Sequence, residues 1–203
     1  MNICMLTSVG HREDLLEGAK ACLYAKGYLR TTTRDIVAAS GTNLGSIGYH
    51  FGSKEVLLNL ALIEALGEWG TELAAALAAQ PDPEAGPVER FQLTWTRVVS
   101  LFGRHGGLLA ANFEVFAHAQ NNADVREMLL SGLNEGREGL GRMFYRGDDD
   151  DTRRAIGTFC HALMTGVMAQ WLIDPASSAT GADLAVAMRA LVAELTGATA
   201  GGA

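Results

Sequence analysis

The sequence predicts an all-α protein: an N-terminal helix-turn-helix domain of three helices followed by a larger helical domain. Three observations carry this. Apolar residues recur every three or four positions through most of the 203 residues, no stretch shows strand-like alternation with turn punctuation, and capping residues bound the periodic segments. A hydrophobic content of 48%, a charged content of 19% and only four prolines exclude disordered, collagen-like and disulfide-knot classes.

The elements follow in order. Leu15, Ala19, Cys22 and Leu23 line one face of a first helix of about fourteen residues, which Gly27 stops as a C-terminal cap. Thr32 with Asp35 three residues on resembles a capping box and opens a helix over Thr33–Ser40. Only Gly41 and Thr42 separate it from the next N-cap candidate, Asn43, so the two short helices must cross steeply. Ser53 opens a long helix with the stripe Val56, Leu57, Leu60, Ile63 and Leu66, expected to reach about Ala79. Residues 80–87 hold three of the four prolines and form the best internal boundary. Further helices are expected near 88–104, 107–119, 122–145, 152–174 and 182–196. The expected division is 1–58 and 59–203, with helix 53–79 bridging the two.

Charge is unevenly placed. Residues 1–60 hold six Lys/Arg against five acids, whereas residues 61–203 hold ten arginines against eighteen acids, within a net charge of −7. A polyanion surface therefore belongs at the N-terminal end, where Lys20, Lys26 and Lys54 lie. The longest nearly uninterrupted apolar stretch, His161 to Ile173, falls short of the roughly 20 residues of a membrane span, and Met1 to Val9 lacks the features of a signal peptide. A cytoplasmic protein without a membrane partner is expected. Cys4, Cys22 and Cys160 are too scattered for a disulfide framework or zinc site. The run Asp148–Asp151 reads as acids favouring a helix start, so neither a metal nor a cofactor is expected.

A short helix, a glycine-containing turn and a second short helix describe the unit that lays its second helix in the major groove of DNA. Asn43, Ser46, Tyr49, His50, Ser53 and Lys54 supply donors in and just after that second helix, the early ones for base edges and the later ones for phosphates. Phe51, at helical spacing from Ile47, belongs to the core, and Ser53 is most simply an N-cap.

The segments LLEGAKACLYAKGY, TTTRDIVAASG, GSIGYHF and SKEVLL, from Leu15 to about Leu58, resemble the DNA-binding domain of the TetR (tetracycline repressor) family of transcriptional regulators. The resemblance implies a homodimer bound to a double-stranded operator and a divergent C-terminal domain that dimerises and receives a small-molecule effector. By position it places Thr33 and Arg34 against DNA, Asn43, Leu44, Gly45 and Ser46 at reading positions, Tyr49 and His50 as a phosphate-contacting pair, and Lys54 at a backbone contact. Leu44 and Gly48 depart from the family pattern, which predicts sparse direct readout with thymine-methyl contact by Leu44.

In the C-terminal two thirds, Ile156 to Leu172 carries apolar residues on more than one helical face, and Leu184 to Leu195 forms a strong stripe. Phe159, Leu163, Val167, Trp171, Met188, Leu191 and Leu195 are the candidate dimer-interface residues. Phe91, Trp95, Phe102, His105, Phe113, Phe116 and His118 are candidates for the effector pocket, and the many glycines of this region permit close packing or an adaptable cavity. The expected function is a ligand-responsive DNA-binding regulator, most simply a repressor. The competing expectations are a helical small-molecule-binding protein or enzyme with a vestigial helix-turn-helix, and a constitutive DNA-binding protein with a filled C-terminal core.

Overall fold

The computed structural model describes the backbone of residues 3–78, 85–120 and 122–197, and their side chains apart from residues 3–9, 117, 118 and 124. Among the described residues the chain forms eight helices and no strand: α1 (Ile3–Lys26), α2 (Thr33–Ser40), α3 (Leu44–Phe51), α4 (Lys54–Ala78), α5 (Pro87–Ala119), α6 (Ala123–Phe144), α7 (Asp150–Ile173) and α8 (Gly181–Thr196). Most of the Pro-rich boundary and the expected end of α4 at Ala79 lie outside the described residues, as does the side chain of Cys4.

Local signals set the ends of the short helices. Thr32 and Asp35 close a reciprocal capping box at α2, Gly41 ends it at φ +68°, and Asn43 caps α3 by accepting from the Ser46 amide at 3.1 Å. Ser53 accepts from the Val56 amide at 3.1 Å where α4 begins. Asp149 caps α7, accepting from the amides of Asp151 and Thr152, so the acidic run serves a helix start. A second capping box, Thr180 with Asp183, opens α8.

Two expected boundaries differ. The first helix is 24 residues long rather than about fourteen, because neither proline nor an alternative cap interrupts Ile3 to Arg12 and Gly10 is tolerated within it. The expected break between 104 and 107 is absent, and α5 runs unbroken for 33 residues. Gly106 and Gly107 serve close approach there, not termination. A Cβ on Gly106 would stand 3.2 Å from the Trp171 ring, and one on Gly107 would stand 2.0 Å from the Tyr24 carbonyl oxygen.

One continuous hydrophobic core runs from Leu15, Leu23, Ile36, Ile47 and Phe51 through Leu57, Leu58, Leu62 and Trp69 to Trp95, Phe102, Leu108 and Met164. The helix α4 spans it, with its first turns in the helix-turn-helix core and its remainder against α5 and α6. By length and composition α7 alone among the described helices could cross a membrane, with a mean hydropathy of 1.3 over its most apolar window. Its Cys160, Met164, Val167 and Met168 are instead buried against neighbouring helices.

Hydrogen bonds hold three capping carboxylates below the usual range: Asp35 chiefly through Lys26 and then Thr32, Asp149 through Thr152, and Asp183 through Thr180. A depressed carboxylate pKa stabilises the fold above the unfolded value of about 3.9 and is lost as pH falls toward the folded value. The acid limb of the urea-unfolding midpoint should therefore be shallower in an Asp35→Asn, Asp183→Asn double variant than in the parent chain. Superimposable limbs would refute this assignment.

Candidate nucleic-acid interface and adjoining cavity

The core assigns the two faces of α3. Ile47 and Phe51 are buried, Ser46 is 8% exposed and His50 is half-buried, so this side rests on the rest of the helix-turn-helix. Leu44, Gly45, Gly48 and Tyr49 fall on the opposite side at i, i+4 spacing and form the outward face, with Leu44 56% and Tyr49 81% exposed. That face offers a docking helix an apolar side chain, two bare backbone positions and one phenol. A Cβ on Gly48 would meet open space, so the surrounding fold does not require glycine there. The Tyr49 and His50 rings meet edge to face at 4.8 Å between centroids.

Several expected contacts are placed differently. Ser46 faces the core side, because the residue preceding Ile47 shares its buried flank, so it does not stand on the outward face as a reading position requires. Asn43 is exposed, yet its side-chain oxygen is engaged in capping α3. Lys54 is partly buried and donates to the Thr31 carbonyl at 3.1 Å. Thr33 is half-buried and Arg34 exposed at the start of α2.

The lysines do not make the free basic surface that charge counting suggested. Lys20 is buried and donates to Glu17, Glu64 and Glu68 at 2.6, 3.4 and 2.7 Å. Burial alone would lower its pKa, but the hydrogen bonds it donates to Glu17 and Glu68 outweigh that and hold it above the usual lysine value. The same three carboxylates form a cluster of metal-ligating type among the described residues, and the Lys20 ammonium is the cation they surround. Lys26 is paired with Asp35. Exposed positive charge near α3 comes instead from Arg34 and from Arg12, whose guanidinium lies 5.3 Å from the Phe51 ring centre. Arg12 escaped the sequence reading because the first helix was expected to start after it.

Beyond the helix-turn-helix, α4, α5, α6 and α7 line a cavity of about 1160 Å³ that opens to solvent and exceeds the roughly 300–1,000 Å³ of most ligand sites. Leu62, Leu66, Trp69 and Leu73 of α4 form one wall, and Met164 and Met168 of α7 another. Gly132, Gly136 and Gly139 of α6 lie on one helical face and line it, which leaves the space that side chains would fill. That spacing was the available sequence signal for this wall. Burial, and then the Arg137 charge, hold the pKa of the half-buried His161 below its ordinary value, so the imidazole enters the lining neutral. A filled C-terminal core is thereby set aside.

Of the effector-pocket candidates, Phe116 lines the cavity. Phe91, Trp95, Phe102, His105 and Phe113 do not. Trp95 and Phe102 are fully buried, Trp95 stacked on Phe144 and Phe102 edge-on to Trp171. Phe91 packs on Trp95 and Phe144, and Phe113 meets Phe116 edge to face. His105 bridges helices: Nδ1 lies 3.1 Å from the Tyr24 hydroxyl and Nε2 lies 2.9 Å from Glu72. The side chain of His118 lies outside the described residues. Aromatic identity alone could not separate core from cavity, because both lie on α5.

Of the interface candidates, Phe159, Leu191 and Leu195 are exposed, with Val186, Val192 and Ile173 exposed beside them in sequence. Met188 is half-buried, and Leu163 and Trp171 pack partly against the core. Val167 is 2% exposed within a single chain, so it contributes to the core and not to a subunit contact. Helix α8 packs on α5, with Gly181 pressed against Thr96 and Gln92, and turns its remaining face outward.

Comparison with known proteins bears on this geometry. Residues 15–61 match the family model described as bacterial regulatory proteins, tetR family. The chain is 25% identical over 178 residues to the HTH-type transcriptional regulator TtgR of Pseudomonas putida, covering 82% of each protein. It is 34% identical over 107 residues to the HTH-type transcriptional repressor KstR2 of Mycobacterium tuberculosis, covering 53% of this chain and 44% of that one. A crystal structure of the multidrug binding protein EbrR complexed with imidazole shares the fold, with a TM-score of 0.63, 22% identity and 88% of both chains covered. With the matched segment ending in α4 and the outward face of α3 falling inside it, residues 15–61 form a DNA-binding domain of the tetR type, and over four fifths of its length the chain is similar to an HTH-type transcriptional regulator.

Proposed function

We propose that this regulator is a homodimeric, cytoplasmic repressor that holds a palindromic double-stranded operator through α3 and releases it when a small molecule fills the cavity. The observation that carries the reading is the double role of α4. Its Leu57 and Leu58 are fully buried in the helix-turn-helix core, while Leu62, Leu66, Trp69 and Leu73 of the same unbroken helix line the cavity. An effector that binds one tilt of α4 better than another shifts the population of helix-turn-helix positions by its differential affinity. Two recognition helices must stand about 34–36 Å apart to enter successive major grooves, so a small rotation suffices to break the match. The reading contains no catalytic step, metal or cofactor.

Leu44, Gly45 and Gly48 would lie along the base edges, with Leu44 against a thymine methyl, and Tyr49, His50 and Arg34 would reach phosphates. Thr33 would approach the backbone with its neighbour. Asn43, Ser46 and Lys54 would chiefly hold the unit in shape, Lys54 keeping spare ammonium donors for a phosphate. Selection of bound duplexes from a random pool tests the reading directly, and recovery of a palindrome is expected. Failure to retain any duplex would leave the helix-turn-helix without its role. On the selected operator, Tyr49→Ala should weaken matched and scrambled sequences alike, and Lys54→Ala should reduce the salt slope of log affinity by about 2 per dimer. An unchanged slope would confine Lys54 to its bond with Thr31.

A further inference from the structure

We infer that the cavity takes an anionic amphiphile: an extended apolar body carrying a single carboxylate-type head. The inference rests on reading this cavity as the effector site. Beyond residue 60 the chain carries ten arginines against eighteen acids, yet the described cavity lining contains four arginines and one acid, Glu135. The local sign is therefore opposite to that of the domain around it.

The positive charge is also placed at one end. Arg90 and Arg97 lie on the first three turns of α5, Arg142 lies in the last turn of α6, and Arg146 follows it two residues past the end of that helix. Those two helix ends are held together by Phe91 and Trp95 of α5 packing on Phe144 of α6, which gathers the four arginine positions toward one end of the lining. Arg90, Arg142 and Arg146 are exposed at the rim of the space. Arg90 donates to the uncharged Ala85 carbonyl, and Arg142 meets Glu138 in an exposed pair at 3.5 Å, a contact of small strength. Arg97 is also engaged within the chain.

The opposite end is lined by Phe116, Met128 and Leu129. Leucine and methionine side chains and a glycine-hollowed wall suit an apolar body with freedom of shape. Guanidiniums at one end suit a planar oxyanion, which they bind in paired hydrogen bonds. A neutral guest gains nothing from that charge, and a cation is repelled by it. An anion approaching a molecule of net charge −7 needs a local reversal of this kind to enter.

The test measures direct binding to the full chain in the absence of DNA, by titration calorimetry below micellar concentrations, of three probes with one tail: dodecanoate, dodecanol and dodecyltrimethylammonium. Dodecanoate should bind at least tenfold more tightly than dodecanol, and the cation most weakly. In an Arg142→Gln, Arg146→Gln variant, dodecanoate affinity should fall about 10–100-fold while dodecanol stays within about twofold. Both arginines are exposed, at and just after the end of α6, and an unchanged unfolding midpoint will confirm that the variant is folded. Equal binding of all three probes, preference for the cation, or no binding of dodecanoate to the folded chain would overturn the inference. Dodecanoate bound as described without change in operator affinity would support this chemistry and sink the effector reading. Release of the operator by another compound, with dodecanoate not bound, would do the reverse.

Discussion

Gly107→Ala should lower the thermal unfolding midpoint by roughly 4–10 °C and weaken operator binding, whereas Gly103→Ala four residues earlier in the same helix should leave both unchanged or raise the midpoint slightly. A Cβ on Gly107 would lie 2.0 Å from the Tyr24 carbonyl oxygen and 2.8 Å from its carbon, and these are backbone atoms of α1 that cannot rotate aside. Relief requires α1 and α5 to separate. Forcing a methyl group into packed interior typically costs about 1–3 kcal/mol, and for a chain of this size each kcal/mol moves the midpoint by about 2–4 °C. Gly103 has no neighbour within reach of an added Cβ, so alanine there gains up to about 1 kcal/mol of helix propensity.

The consequence for DNA arises from what else crosses that seam. Tyr24 meets His105, His105 meets Glu72 of α4, and the Glu114 carboxylate accepts from the Leu29 amide at 2.8 Å beside Gly27, whose φ is +80°. These bonds fix the end of α1, and hence the turn into α2, against the helix that lines the cavity. Separation of α1 from α5 should loosen all of them together. Matched midpoints for the two glycine variants would show that the seam yields without strain and remove the basis for this coupling.

What the sequence revealed and what it hid divide by range. Thr32 with Asp35, Asn43 with the Ser46 amide, and Ser53 with the Val56 amide are partners three residues apart, so their chemistry is legible from spacing alone. The same holds for the stripe of Leu15, Ala19 and Leu23, because helical periodicity places them on one buried face. The flank of Ser46 is not legible from sequence, because an eight-residue helix has an ambiguous flank until its neighbours are known. The burial of Lys20 is hidden in the sequence because Glu64 and Glu68, which surround it, lie more than forty residues away. The His105-Gly106-Gly107 stretch looked like a helix break because glycine lowers helix propensity, and only the approach of Tyr24 and Trp171 explains why it is tolerated. Cavity and core aromatics share α5 and the same spacing. Which of them face the empty space depends on where α6 and α7 stand.

Leu191→Lys combined with Leu195→Lys should convert the proposed dimer to a folded monomer and abolish tight binding to a two-half-site operator. Leu191 is 57% and Leu195 84% exposed on α8, and Phe159 on α7 is 51% exposed, which leaves large apolar side chains in water on a single chain. A second copy related by a twofold axis would bury the same residues on both partners. Because each residue occurs twice in such an interface, a truncation effect of about 2 kcal/mol per copy becomes about 4 kcal/mol, roughly a thousandfold in dissociation constant. Both positions lie in the last turns of α8, where added lysines favour the negative end of the helix, so loss of association cannot be ascribed to fraying. Sedimentation should show the parent chain as a dimer at micromolar concentration and the variant as a monomer with an unchanged far-UV spectrum. A parent chain that sediments as a monomer, or a variant that stays dimeric, would remove α8 from the interface and with it the paired recognition helices that a palindromic operator demands.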